Sequence, residues 1–176
     1  MRAVVQRVRR ARVLVESGGQ EADPAGGARP PAADAPETRV TGEIGPGFCV
    51  LLSVGPGDTA ATADHLAERV ARLRICADPA GKMNLDLHQT GGEVLLVSQF
   101  TLHADASGGH RPSFLGAAPP DLARRLYERF GATLAGLGLP IAYGEFGAMM
   151  QVELVNDGPV TLVLTSGEGP WAADAG

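Results

Sequence analysis

The strongest constraint on this chain's fold is one uninterrupted apolar run, Phe48-Cys49-Val50-Leu51-Leu52-Ser53-Val54, set off by a Gly45-Pro46-Gly47 turn. A strand wetted on one side alternates apolar and polar residues. A continuous run too short for a helix reads as a strand covered on both faces. Such a strand needs layers around it, and the rest of the sequence offers them.

β-branched segments at residues 2–8, 12–16 and 40–44 predict strands before the run. Further strands are predicted at 94–102, about 141–145, 149–155 and 160–165. Asp58 or Thr59 can cap a helix to about Ile75, with a buried stripe of Leu66, Val70 and Leu73. Asp78-Pro79-Ala80-Gly81 reads as a turn. Pro119, Pro120 and Asp121 open a second helix, striped by Leu122, Leu126, Phe130, Leu134 and Leu137 and ended by Gly138 and Pro140. The order predicts an α/β single domain over residues 1–165, a mixed β-sheet with two main helices packed on one face. A chain of 176 residues suits one domain.

Residues 17–38 interrupt this pattern with Gly, Pro and Ala and no Val, Leu, Ile or aromatic residue. A segment with nothing to bury does not offset its ordering entropy, so it reads as a long loop inserted between strands. It also carries Glu21, Asp23, Asp34 and Glu37 against Arg29, a large share of the net charge of -5. Elsewhere Arg2, Arg7, Arg9, Arg10 and Arg12 crowd the N-terminus. That patch could meet phosphates or simply protect a strand edge. Residues 166–176 read as a frayed tail. Cys49 and Cys76 sit in apolar runs and read as buried, reduced thiols. No apolar stretch approaches a membrane span and the N-terminus lacks a secretory pattern, so the expectation is a cytoplasmic protein without a membrane partner.

Conventional catalytic motifs are missing. There is no Gly-x-Ser-x-Gly elbow, no His-Glu-x-x-His, no Cys-x-x-Cys and no phosphate loop. His103 and His110 with Asp105 could be drawn as a metal site, but they read as surface loop residues, and no metal or other cofactor is expected. His65 is expected on the exposed side of the first helix. Two patterns remain. Ser98-Gln99-Phe100-Thr101-Leu102 puts polar groups at the end of an apolar strand, which is either a strand leaving the core or a strand end facing a ligand crevice. Asn156-Asp157-Gly158-Pro159-Val160-Thr161 reads by itself as a hairpin turn.

Together these two blocks resemble the signature motifs of the D-aminoacyl-tRNA deacylase family. Gln6-Arg7-Val8, Val40-Thr41-Gly42-Glu43-Ile44-Gly45, Gly81-Lys82-Met83-Asn84-Leu85 and Arg111-Pro112-Ser113-Phe114 add supporting matches. The likeness runs through residues 1–16 and 39–165. It implies a homodimeric hydrolase of carboxylic esters that removes D-amino acids, and mischarged glycine, from tRNA. The resemblance also implies a cis Gly158–Pro159 bond whose loop enters the partner's site. There the carbonyls of Gly158 and Pro159 would clash with an L side chain. Arg7 would hold that element. The backbone N–H groups of Phe100 and Thr101 would bind the developing oxyanion, such donors contributing ~2.7–4 kcal/mol each. Gln99, Ser98 and Met150 would line the pocket for the terminal adenosine and the amino group. Either the Thr101 hydroxyl is the nucleophile, or the tRNA's own 2′-OH helps water; the second is favoured, because no general base stands near Thr101 in sequence.

Two other functions compete: a non-catalytic dimer that binds the tRNA acceptor end, and a small-ester hydrolase with a Thr101 nucleophile. The chain departs from the family pattern in the 17–38 insertion, in Gly108-Gly109-His110 before Arg111, where a basic residue is expected, and in the 166–176 tail.

Overall fold

In a computed structural model, the described residues are 1–16 and 38–166. Most of the long loop and of the C-terminal tail therefore lies outside them. The elements are β1 (Arg2–Glu16), β2 (Thr38–Ile44), β3 (Gly47–Ser53), α1 (Ala60–Ala71), β4 (Cys76–Ala77), β5 (Met83–Leu85), α2 (Leu87–Thr90), β6 (Glu93–Ser98), α3 (Pro120–Gly136), β7 (Ile141–Tyr143) and β8 (Met150–Thr165). A 3-10 turn, Phe100–His103, follows β6.

The strand β1 organises everything. Its first half pairs antiparallel with β3 and its second half with β2. Along its other edge it pairs with β8 for nearly its whole length. From β3 the sheet continues in parallel through β6 to β7, which makes it mixed. The sheet curls until β2 lies against β7: a Cβ on Gly42 would stand 2.4 Å from the Tyr143 carbonyl oxygen, so only glycine allows the closure.

Two cores result. Phe48, Val50 and Leu52 of β3 face α1 and α3, meeting Leu66, Val70, Leu126, Phe130 and Leu134. Cys49 faces the inside of the curl, with Val13, Leu95 and Val97. The continuous apolar run is thus buried on both faces, as its pattern demands. Cys49 and Cys76 are both free and buried. Burial pushes the Cys49 thiol up to about 11, which keeps it protonated and unreactive at neutral pH.

The two helices pack on one face, as predicted, but several local expectations fail. The 2–8 and 12–16 segments form one strand, because β8 pairs across the Arg9 register shift as a bulge. Residues 149–155 and 160–165 likewise form one strand, β8, rather than a hairpin. Pairing passes from Val8–Asn156 to Gln6–Thr161, so residues 157–160 bulge opposite Arg7 alone. Turn-forming residues here interrupt a ladder without reversing it. The strand predicted to Leu102 ends at Ser98. Helix α1 stops at Ala71, so Leu73 packs from outside the helix. The β4–β5 hairpin and α2 carried no apolar period long enough to be predicted. His65 is half-buried with an unpartnered Nε2, not exposed. Ser166 is not frayed: its N–H donates to the Met1 carbonyl at 2.9 Å.

The helix layer should dominate stability. Phe130→Ala, in a fully buried position, should cost about 3–5 kcal/mol in urea denaturation. Leu115→Ala, at a side chain 93% exposed, should change it by less than about 0.5 kcal/mol.

Candidate active site

The end of β6 is built by a change of backbone geometry. The Gln99 N–H makes the last rung of the parallel ladder, to the Leu52 carbonyl at 2.8 Å. The chain then tightens into the 3-10 turn, closed by Leu102 N–H to Gln99 O (3.1 Å) and Ala104 N–H to Thr101 O (3.0 Å). A helical turn leaves its leading N–H groups without partners inside the turn. Those are the N–H groups of Phe100 and Thr101, and Gln99 offers them no side-chain cap. Two adjacent main-chain donors are therefore left without a partner in the turn, at the end of an apolar strand.

The side chains around them fall into place. The Gln99 amide donates to Thr101 Oγ1 at 2.5 Å. An amide donor on that hydroxyl is the reverse of what activates a nucleophile, which needs an acceptor to take its proton. Phe100 is 43% exposed and meets Phe114 edge-on, ring centroids 5.3 Å apart. Ser98 is half-buried beside them. Met150 does not join this turn directly. Its Sδ lies 2.8 Å from where a Cβ on Gly144 would stand, next to Val97, so it packs largely into the inner core.

The second motif forms a separate element. The Gly158–Pro159 bond is cis, as the resemblance implies, and both residues are exposed. Arg7, its side chain only 16% exposed, donates from Nε to the Asp157 carbonyl at 2.9 Å. It also donates to the Ile75 carbonyl, so one guanidinium ties the bulge to the segment after α1. Arg9 pairs with the Asp157 carboxylate at 3.1 Å. A Cβ on Gly158 would fall 2.0 Å from Asn156 Nδ2, so a larger residue there would displace the Asn156 side chain. Asn156 belongs to the motif seen in the sequence, but its packing against Gly158 and the Arg9–Asp157 pair were not foreseen there.

Within the chain the two motifs do not come together. Arg2, beside Ser53, donates to Leu102 O at 2.9 Å, whereas Gly158 and Pro159 bulge opposite Arg7. At the strand rise, Arg2 and Arg7 are about 17 Å apart along β1.

The sequence of residues 4–165 matches the family model described as D-Tyr-tRNA(Tyr) deacylase. The chain belongs to this deacylase family. It is 52% identical over 164 residues to a D-aminoacyl-tRNA deacylase of Deinococcus radiodurans, covering 93% of this chain and 99% of that one. A D-aminoacyl-tRNA deacylase of Lacticaseibacillus casei is 50% identical over 163 residues, covering 93% of this chain and 96% of that one. Among solved structures, the c-Myc DNA unwinding element binding protein superposes with a TM-score of 0.76 at 36% identity, covering 94% of this chain and 99% of that one. A probable eukaryotic D-amino acid tRNA deacylase shares the fold with a TM-score of 0.70 at 16% identity, covering 93% of this chain and 97% of that one.

Within this deacylase fold, His103 is where the sequence reading fails. It was expected on a surface loop, yet it is half-buried with Nδ1 2.6 Å from Ser53 Oγ. Asp105, drawn with it as a possible metal ligand, instead accepts the Ser107 N–H at 2.9 Å. Among the described residues, no cluster of three His, Cys, Asp or Glu side chains comes together. Only a tertiary partner reveals His103, and no local pattern marks it.

Two outcomes follow. Arg7→Ala should destabilise the protein by about 1.5–3 kcal/mol in urea denaturation, because it leaves the partly buried Asp157 and Ile75 carbonyls without a charged donor. Burial first, then the charges of Arg2 and the Met1 ammonium, lower the His103 pKa against the opposing pull of Asp58. Between that lowered value and 6.5 the unfolded chain binds more protons than the folded one, so stability should fall as pH drops through 6.5. Urea melts at neutral pH and at roughly pH 5.5 should show a shallower decline in His103→Asn than in the wild type.

Proposed function

We propose that this protein hydrolyses the ester of D-aminoacyl-tRNA by main-chain catalysis, releasing the free D-amino acid and tRNA. The observation that carries the mechanism is the pair of unpartnered N–H groups on Phe100 and Thr101, beside a Thr101 hydroxyl engaged by an amide. Ester hydrolysis passes through a tetrahedral oxyanion, and two preorganised donors can stabilise it by ~2.7–4 kcal/mol each. With no base on Thr101 Oγ1, the attacking group is water, assisted by the 2′-OH of the terminal ribose. Ser98 and Gln99 line the pocket for that nucleotide and the amino group, while Met150, packed beside Gly144 and Val97, would border it from the inner core.

The chiral filter comes from a second copy of the chain. β8 is an edge strand, paired only with β1, and it carries exposed apolar side chains at Val155 and Val163. A homodimer that covers this edge would carry the exposed Gly158–Pro159 carbonyls into the partner's site. This accounts for their distance from Phe100 within one protomer. Held by Arg7, the carbonyls would occupy the space of an L side chain and leave a D side chain free. Glycine, with no side chain to collide, would pass the filter too. Such an enzyme guards translation quality in the cytoplasm, and no described helix is long and apolar enough to cross a membrane.

The decisive assay is deacylation of D- and L-tyrosyl-tRNA. The D ester should be cleaved and the L ester spared; equal rates, or binding without turnover, would reject this reading. Thr101→Val should keep kcat within about tenfold of wild type, whereas a threonine nucleophile would lose about 10⁴-fold or more. Gly158→Ala, which forces a Cβ into Asn156, should erode the preference for the D ester.

A further inference from the structure

Buried Ser53 and half-buried His103 form a pair between β3 and the 3-10 turn that the deacylase chemistry described above does not use. Ser53 closes β3 and is 2% exposed, the one buried polar side chain among the described residues. Its Oγ lies 2.6 Å from His103 Nδ1 and 3.3 Å from the Phe100 carbonyl oxygen. One tautomer satisfies both contacts: Nδ1–H donates to Oγ, and the hydroxyl proton goes to Phe100 O. The first and last residues of the turn are thereby tied to one atom on the neighbouring strand. Arg2 adds a third tie, to the carbonyl of Leu102.

A serine against a histidine invites comparison with a nucleophile and its base. Burial rules that out, since an ester cannot reach Ser53 Oγ. What the pair does reach is the peptide plane that follows the Phe100 N–H. Fixing Phe100 O also fixes the plane that carries the Thr101 N–H, because these two groups belong to the same rigid peptide unit. The aim of one oxyanion donor is thus set by a hydrogen bond on the far side of its own peptide.

We propose that Ser53 and His103 are positioning residues that hold the Phe100–Thr101 peptide in register for the oxyanion. They act through the backbone and touch no substrate. The inference rests on the deacylase reading for its catalytic consequence, but the positioning itself is measurable without substrate. Preorganised donors work because they need no reorganisation as charge develops, so a loosened peptide loses transition-state binding more than ground-state binding.

The test compares Ser53→Ala, His103→Phe, the double variant and His103→Asn, whose side-chain amide can stand near the Nδ1 position. With D-tyrosyl-tRNA, Ser53→Ala and His103→Phe should each lower kcat about tenfold with KM within about twofold. The double variant should lose no more than either single one, because both changes break one linkage. His103→Asn should recover most of the rate. In the absence of tRNA, the Leu102 and Ala104 amides should exchange about tenfold faster in Ser53→Ala than in the wild type. Unchanged exchange at those amides, or wild-type kcat in both single variants, overturns the inference. A wild-type protein inactive on both D- and L-tyrosyl-tRNA refutes the deacylase reading instead, while the exchange rates still decide whether the pair holds the turn.

Discussion

The rest of the structure depends on the ladder that β1 makes on both of its edges. A strand this long, Arg2–Glu16, has to satisfy its N–H and C=O groups on either side, and it does so with β2 and β3 on one edge and β8 on the other. Both chemical elements are placed by their position along it. The turn after β6 is tied to its start through Arg2, and the Gly158–Pro159 bulge is tied to its middle through Arg7. Both elements are thereby anchored to the same strand.

On the proposed mechanism the chemistry resides in the main chain, which would account for the missing catalytic motifs. Oxyanion donors supplied by Phe100 and Thr101 require a particular turn and no particular side chain. A filter made of carbonyls would likewise use the glycine that packs on Asn156 and the arginine that holds the bulge. A site of that kind would accept varied substrates of one hand, because shape would decide and side-chain recognition would not. The polar side chains then serve mainly to hold peptides still.

Much of the fold was readable from pattern. The run Phe48–Val54 demanded cover on both faces and has it, and the stripes Leu66/Val70 and Leu126/Phe130/Leu134 do bury against the sheet. Pattern failed where a partner strand overrode local punctuation. Arg9-Arg10 looked like a break and is a bulge; Asn156–Pro159 looked like a reversal and stays on course because β1 pairs on both sides of it. Motif resemblance pointed to Ser98–Thr101 and Arg7, whereas His103 looked like any loop histidine until Ser53 was found beside it.

Sequence alone determined the layer architecture, the two helices and the identity of the two motifs, because those follow from periodicity and from residue types that short-range sterics demand. Tertiary structure decided where β1 and β8 run unbroken, which N–H groups remain unpaired, and which side chain reaches a peptide from another strand. These depend on contacts between residues far apart in the chain, such as Arg7 with Asp157 and Ser53 with His103. No local pattern encodes such a contact, since its energy exists only once the sheet has brought the partners together.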